Sequence, residues 1–225
     1  MTGVLGGITA EVEHVLAAVH EIAAAVESIA ARARAGGDAL VRDDLAVVRT
    51  WAAGVLTGHA GLLAGAGVVL APGVLSDVPR WIEWWWRGAS GPERLRVDLD
   101  PESAEFMDYT LMEWYCRSER TGQWTITGPY VDYICTHEYT FTLSAPLYCA
   151  GRFLGVAGAD ILAAQVERLV LPDLARVKRD AVVVSAAGRV IASNTARVLP
   201  GELAPPGEVI AGTATLPWRV LGISG

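Results

Sequence analysis

Three stretches in the middle of the chain alternate apolar with polar residues: Gln123 to Ile126, Tyr139 to Leu147 and Arg152 to Ala159. Successive strand residues point to opposite faces, so this alternation predicts antiparallel strands. Ala66 to Leu70 predicts a further, buried strand, and Leu95 to Leu99 alternates as well. Ala181 to Ser185 and Val190 to Ala192 flank Ala187-Gly188, a hairpin signal. Ala211 to Ile223 supplies a last strand after the Pro/Gly-rich loop at 195–210. The aromatic-rich Pro79 to Arg87 is expected to be helical in part, and Pro101 to Tyr115 a helix running into a loop. Ile161 to Lys178 is amphipathic and interrupted near Pro172. Strands meandering about one antiparallel sheet over 66–223, with helices on a face, define an α+β fold.

Ahead of this sheet, Val12, Val15, Leu16, Val19, Ile22, Ala23, Val26 and Ile29 recur at helical spacing. They predict a helix over 8–35, stopped by Gly36-Gly37. A second helix is expected from about Asp43 to Leu56. The chain thus divides into N-terminal helices, 1–60, and a sheet domain, 61–225. The helices have two readings: a cap on the core or, given their many alanines, the face of a homodimer.

Hydrophobic residues make up 52% of the 225 and the net charge is −7, with no Lys/Arg run longer than two. Direct nucleic-acid binding is therefore not expected, since it needs clustered cations to displace counterions. The run Ala52 to Val74 is apolar but holds six glycines, a His and a Pro. It reads as a helix end, a turn and a buried strand rather than a membrane span. The N-terminus has Glu11 and Glu13 and no early Lys or Arg, unlike a signal peptide. The three cysteines lack a Cys-x-x-Cys pair, so free thiols are expected and a zinc site is not. Together these features predict a cytoplasmic chain with no membrane contact.

The densest pattern lies between Glu105 and Asp160. It pairs the step Trp114-Tyr115 with Thr121-Gly-x-x-x-x-x-Gly-Pro-Tyr-x-Asp132, and closes on Gly155-Val-Ala-Gly-Ala-Asp160. This set resembles the ligand-binding core of Cache domains, the PAS-like sensor modules, over roughly residues 65 to 195. The resemblance implies a single PAS-like module with a central antiparallel sheet and an N-terminal helical extension. It also implies that Trp114, Tyr115, Tyr130, Asp132 and Asp160 line one small-molecule pocket. Amino-acid-binding members carry Arg two residues before the Trp-Tyr step, where this chain has Met112. The resemblance is therefore closest to the amine-binding branch, with Arg117 and Arg120 as the candidates to replace that Arg.

The residues support a cationic ligand in their own right. Asp108, Glu113, Asp132 and Asp160 stand among Trp85, Trp86, Trp114, Tyr115 and Tyr130. Carboxylates and aromatic faces both attract an organic cation, the rings by roughly 0.5–2 kcal/mol per contact. The expected function is a sensor of a small amine, of polyamine, monoamine, choline or betaine type. It would need no cofactor and would signal through a separate partner, such as a transcription regulator or a transporter. An amino-acid sensor is the first alternative. A hydrolase using Cys116 or Cys135 with His137 is the second. No Gly-x-Ser-x-Gly, His-Glu-x-x-His or phosphate-binding loop is present, so no catalytic residue is assigned. His137 beside Glu138 lacks a further His or Cys at metal-ligand spacing.

Overall fold

The computed structural model describes residues 3–59, 61–133 and 138–223. Its longest element is helix α1, Gly6–Gly36, closed by Gly37 in the left-handed region. A short 3-10 turn leads into α2, Ala46–Gly58. The main sheet follows: β1 Leu63–Leu70, β2 Trp81–Gly88, β3 Gly91–Arg94, β4 Thr125–Val131, β5 Tyr139–Cys149 and β6 Arg152–Leu162. The strands are antiparallel in the order β3-β2-β1-β6-β5-β4. Helix α3, Glu113–Thr121, lies between β3 and β4 in the chain.

Helix α4, Ala163–Leu174, leads to a second antiparallel sheet. This comprises β7 Ala181–Val184, β8 Val190–Ser193, β9 Gly207–Gly212 and β10 Arg219–Ile223, ordered β8-β7-β10-β9. The fold is α+β, with an N-terminal helix laid on a central antiparallel sheet. The strands do not form one sheet across 66–223, because β7 pairs with β8 and β10 rather than with β6. The stretch expected to be partly helical, Pro79 to Arg87, is a strand from Trp81 on: its Trp and Ile residues suit a pleated surface and pair along β1. Leu95 to Leu99 does not pair as a strand. It crosses one face of the main sheet, where Leu95, Val97 and Leu99 join an apolar cluster. Helix α4 begins two residues later than its periodicity suggests because Ile161 and Leu162 still belong to β6.

The main sheet is covered on both faces. Toward α1 and α2 it turns Ala66, Val68, Leu70, Leu143, Leu147, Ala157 and Ala159, packed with Val12, Val15, Val19, Ile22 and Val26. The apolar stripe of α1 is thus buried against this chain's own sheet. Helix α1 also bonds to both sheet regions: Glu27 accepts from the Tyr148 amide of β5 at 2.7 Å, and Glu13 from the Thr215 hydroxyl, just before β10, at 2.7 Å. Phe141 of β5 packs on Trp218, which precedes β10, with ring centroids 4.8 Å apart. Both rings are buried, so this contact joins the cores of the two sheets. Phe141→Ala is expected to cost about 3–5 kcal/mol of folding stability, read as a lower urea midpoint. A midpoint unchanged from the parent would mean the sheets do not depend on that contact.

Candidate ligand-binding cavity

The other face of the main sheet supports a cavity of about 420 Å³. Its position follows from strand register. Thr127, Thr142, Asp160 and Gly65 are directly opposed across β4, β5, β6 and β1, and therefore share one face. The next row on that face is Thr125, Ser144, Gly158, Gly67 and Trp84. The glycines leave room for the Trp84 indole. A Cβ on Gly65 would stand 2.5 Å from Trp84 Nε1, one on Gly67 3.0 Å from Cε3, and one on Gly158 3.4 Å from Cη2.

The register of β4 slips by one residue between Thr127 and Tyr130. Gly128 stands there with φ 123, where a Cβ would meet the Thr140 carbonyl oxygen at 2.7 Å. An extra residue reverses the facing of all that follow, which turns Tyr130 inward. The Gly-Pro-Tyr-x-Asp segment is thus a bulge that aims one ring at the cavity.

The strap 95–112 and helix α3 close the cavity from above. Tyr109 OH donates to the Leu70 carbonyl at 2.7 Å. The Ser144 hydroxyl donates to the Trp114 carbonyl at 2.8 Å and meets the Ser118 and Thr125 hydroxyls at 3.0 and 3.2 Å. These bonds hold Trp114 over the sheet. Most of the lining is apolar: Val69, Ile82, Trp84, Leu95, Phe106, Met107, Met112 and Val131 contribute, with Trp114, Tyr130 and Tyr133. Thr142 lies with Asp160 in the wall. Among the described lining residues the charged side chains are Asp108, Asp132 and Asp160.

The three acids differ in their surroundings. Asp108 accepts from the Thr110 amide and hydroxyl and pairs with Arg80 at 3.2 Å. Those contacts, the Thr110 hydroxyl foremost, hold its carboxyl below the usual range. Asp160 is 7% exposed and takes the Thr142 hydroxyl on Oδ1 at 2.7 Å. Tyr130 OH in turn bonds Thr142 Oγ1, so a hydroxyl relay ends on this carboxyl. Burial raises the Asp160 pKa to about 7; the Thr142 bond opposes the rise and the charge of Asp132 adds to it. Asp132 is also buried, and its amide donates to the Glu138 carbonyl at 2.9 Å.

Of the nine residues singled out from the sequence, Asp108, Trp114, Tyr130, Asp132 and Asp160 line the cavity. Four stand outside it. Tyr115 turns into the core, edge-on to Tyr109 and Phe153 at 5.7 and 5.5 Å. Glu113 is exposed and faces Arg117 at 3.8 Å. Trp85 points to the helix side, donating to Glu83 at 3.0 Å beneath Arg49. Trp86 falls two residues beyond Trp84, outside the lining. Within the run Trp81 to Trp86, the indole that lines the cavity is Trp84. Met112 lines the cavity, whereas Arg117 and Arg120 do not. The Cys116 thiol donates to the Thr110 carbonyl at 2.8 Å. Cys135 and His137, the other members of the thiol reading, lie outside the described residues.

Residues 93–167 match the family model for the first PDC sensor domain of methyl-accepting chemotaxis protein-like receptors. No curated protein matches the sequence. The extracellular domain of a protein assigned as the histidine kinase soHK1S-Z6 shares the fold with a TM-score of 0.68 at 14% identity, over 97% of this chain and 88% of that one. Methyl-accepting chemotaxis protein X does so with a TM-score of 0.56 at 19% identity, over 91% and 77%. The ligand-binding domain of the Campylobacter jejuni chemoreceptor Tlp3, solved with L-valine, gives 0.51 at 16% identity, over 87% and 73%. The fold is therefore that of PDC, or Cache-like, sensor domains.

These matches correct the expectation of a cytoplasmic chain without membrane contact. The first of these structures is an extracellular domain, and the family model describes a receptor sensor. Helix α1 is also apolar and long enough, by length and composition, to cross a membrane. The acidic Glu11 and Glu13 and the free thiols of Cys116 and Cys149 do not report the compartment.

The raised pKa of Asp160 gives a signed prediction. Between about pH 4 and pH 7 the folded chain keeps a proton that the unfolded chain has lost, so this group makes stability fall as pH rises across that window. Above pH 7 its penalty is complete and constant. Urea unfolding of the ligand-free parent and Asp160→Asn should show an advantage for the variant that grows from pH 4.5 to 7 and then levels. An advantage independent of pH would contradict the assignment.

Proposed function

We propose that this chain is a small-molecule sensor domain exposed on the outer side of a membrane. Its ligand, on this reading, is a compact amino compound with an apolar body, an α-amino acid first among them. The carrying observation is a pair of buried carboxyl groups, Asp132 and Asp160, in a cavity whose other walls are mostly apolar. An ammonium group between them would form charge-assisted hydrogen bonds and draw Asp160 into its ionised form. The faces of Trp114 and Tyr130 would flank the cation, and the aliphatic wall of Val69, Ile82 and Leu95 would take the apolar body. Asp108, already paired with Arg80, would tune the cavity's charge without contacting the ammonium.

The amino-acid reading draws support from the fold shared with an L-valine-binding chemoreceptor domain. A plain amine is the second reading, favoured by Met112 and by the absence of a cationic side chain among the described lining residues. In either case no bond in the ligand is broken, and binding would be passed to a kinase or chemoreceptor signalling partner. Residues 61–225 would form the ligand-binding domain and 1–60 the helices that couple it to such a partner.

Calorimetry with L-valine, isobutylamine and isovalerate separates the readings, since the last two each lack one of valine's charged groups. Valine should bind more tightly than isobutylamine on the first reading and less tightly on the second, and isovalerate should bind on neither. Asp160→Asn and Asp132→Asn should each weaken amino-ligand binding by about 2–5 kcal/mol, the cost of losing one partner in a desolvated charge pair. Their ligand-free melting temperatures should stay level or rise. Parental affinity in both variants, or preference for isovalerate, would sink the ammonium site.

A further inference from the structure

Trp84 presents a buried polar atom that the described residues do not answer. The residue is 5% exposed and lines the cavity, yet its Nε1–H has no hydrogen-bond partner. Buried donors are nearly always paired, and one left without an acceptor destabilises the fold. The sheet beneath is built to accept this ring: Gly65, Gly67 and Gly158 each leave out the Cβ that would strike it. The nitrogen's position is specific. A Cβ on Gly65 would lie 2.5 Å from Trp84 Nε1 and 3.4 Å from Asp160 Oδ2, so donor and carboxylate flank one point of the wall. No hydrogen bond joins the two, and the carboxyl's Oδ1 is engaged by Thr142.

A ligand carboxylate in this cavity would meet no guanidinium or ammonium among the described lining side chains, because Met112 is apolar and the charged groups are acids. Among the described lining residues, a neutral donor would have to receive it. We infer that Trp84 Nε1–H receives the ligand's acceptor oxygen and so selects amino compounds bearing a carboxylate or carboxamide beside the ammonium over plain amines. Such ligands have acceptor and cation on neighbouring atoms, matching the proximity of Trp84 Nε1 and Asp160. This rests on the reading of Asp132 and Asp160 as the ammonium site and adds the specificity determinant on β2.

Trp84→Phe keeps a flat ring over the glycines and removes only the N–H and part of the ring. The parent and variant would be titrated with L-valine, L-valinamide and isobutylamine. The variant should lose about ten- to a hundredfold in affinity for valine and valinamide, the value of a hydrogen bond to a polar or charged acceptor. Isobutylamine, which offers the indole no acceptor, should lose far less. In the parent, the indole 15N–1H resonance of Trp84, identified as the one missing from the variant, should move downfield with valine and stay in place with isobutylamine.

Undiminished valine binding by the variant overturns the inference, as does an equal loss for isobutylamine, which would make Trp84 a packing residue. A parent that binds isobutylamine but neither valine nor valinamide overturns it while the ammonium site stands. A moving Trp84 resonance with ligand binding insensitive to Asp160→Asn upholds the donor and removes the ammonium reading. No binding and no shift with any probe overturns both.

Discussion

A carboxyl group enclosed in a mostly apolar wall sets the terms for the rest of the site. Asp160 lies near the middle of a six-stranded sheet, on the strand between β1 and β5, and is 7% exposed. In that setting its charged form is disfavoured, and the neighbouring Asp132 disfavours it further. The chain offers one hydroxyl in compensation, Thr142, itself bonded by Tyr130. That is not enough to restore ordinary acidity. On the proposed reading, a cation that enters the cavity answers this mismatch.

The fold supplies this arrangement through register more than through loops. One cross-strand row carries Thr127, Thr142, Asp160 and Gly65, and the adjacent row carries Gly158, Gly67 and Trp84. The bulge at Gly128 brings Tyr130 onto the same face. On the reverse face α1 buries its aliphatic stripe and bonds both to Tyr148 of β5 and to Thr215 beside the second sheet. The cavity wall is therefore backed by the longest helix in the chain. Displacement of that wall by a ligand would be felt along α1, a physical route by which occupancy of the cavity could leave the domain.

Much of this was legible in the sequence. The alternation in β5 and β6 fixed an antiparallel sheet, and the helical spacing from Val12 to Ile29 fixed α1. Asp132, Asp160, Trp114 and Tyr130 were legible because they recur in a known arrangement of motifs, and Asp108 because it is a carboxylate set among aromatic residues. The tryptophan run was not. Read as partly helical, Trp81 to Arg87 has no definite facing. Read as a strand, it puts Ile82 and Trp84 on one side and Trp81, Glu83 and Trp85 on the other. Gly65, Gly67 and Gly158 were the available signal, since three glycines in strands facing one another imply a bulky ring between them and solvent. The second sheet was folded into the first because hairpin patterns specify local pairing and not which neighbour a strand finds. The compartment was not legible, because Glu11 and Glu13, which lie within α1, and the thiols carry no information about it.

The account stands most directly on the state of one proton. A 13C NMR titration of the Asp160 side-chain carboxyl, assigned through Asp160→Asn, would follow it in the free and ligand-saturated chain. The free protein should titrate at about 7, and a saturating amino ligand should bring the value down by more than a unit. A carboxyl that titrates near the ordinary 3.8 in the free chain, or one that is unmoved by a ligand that binds, would contradict the claim that this acid is held for a cation.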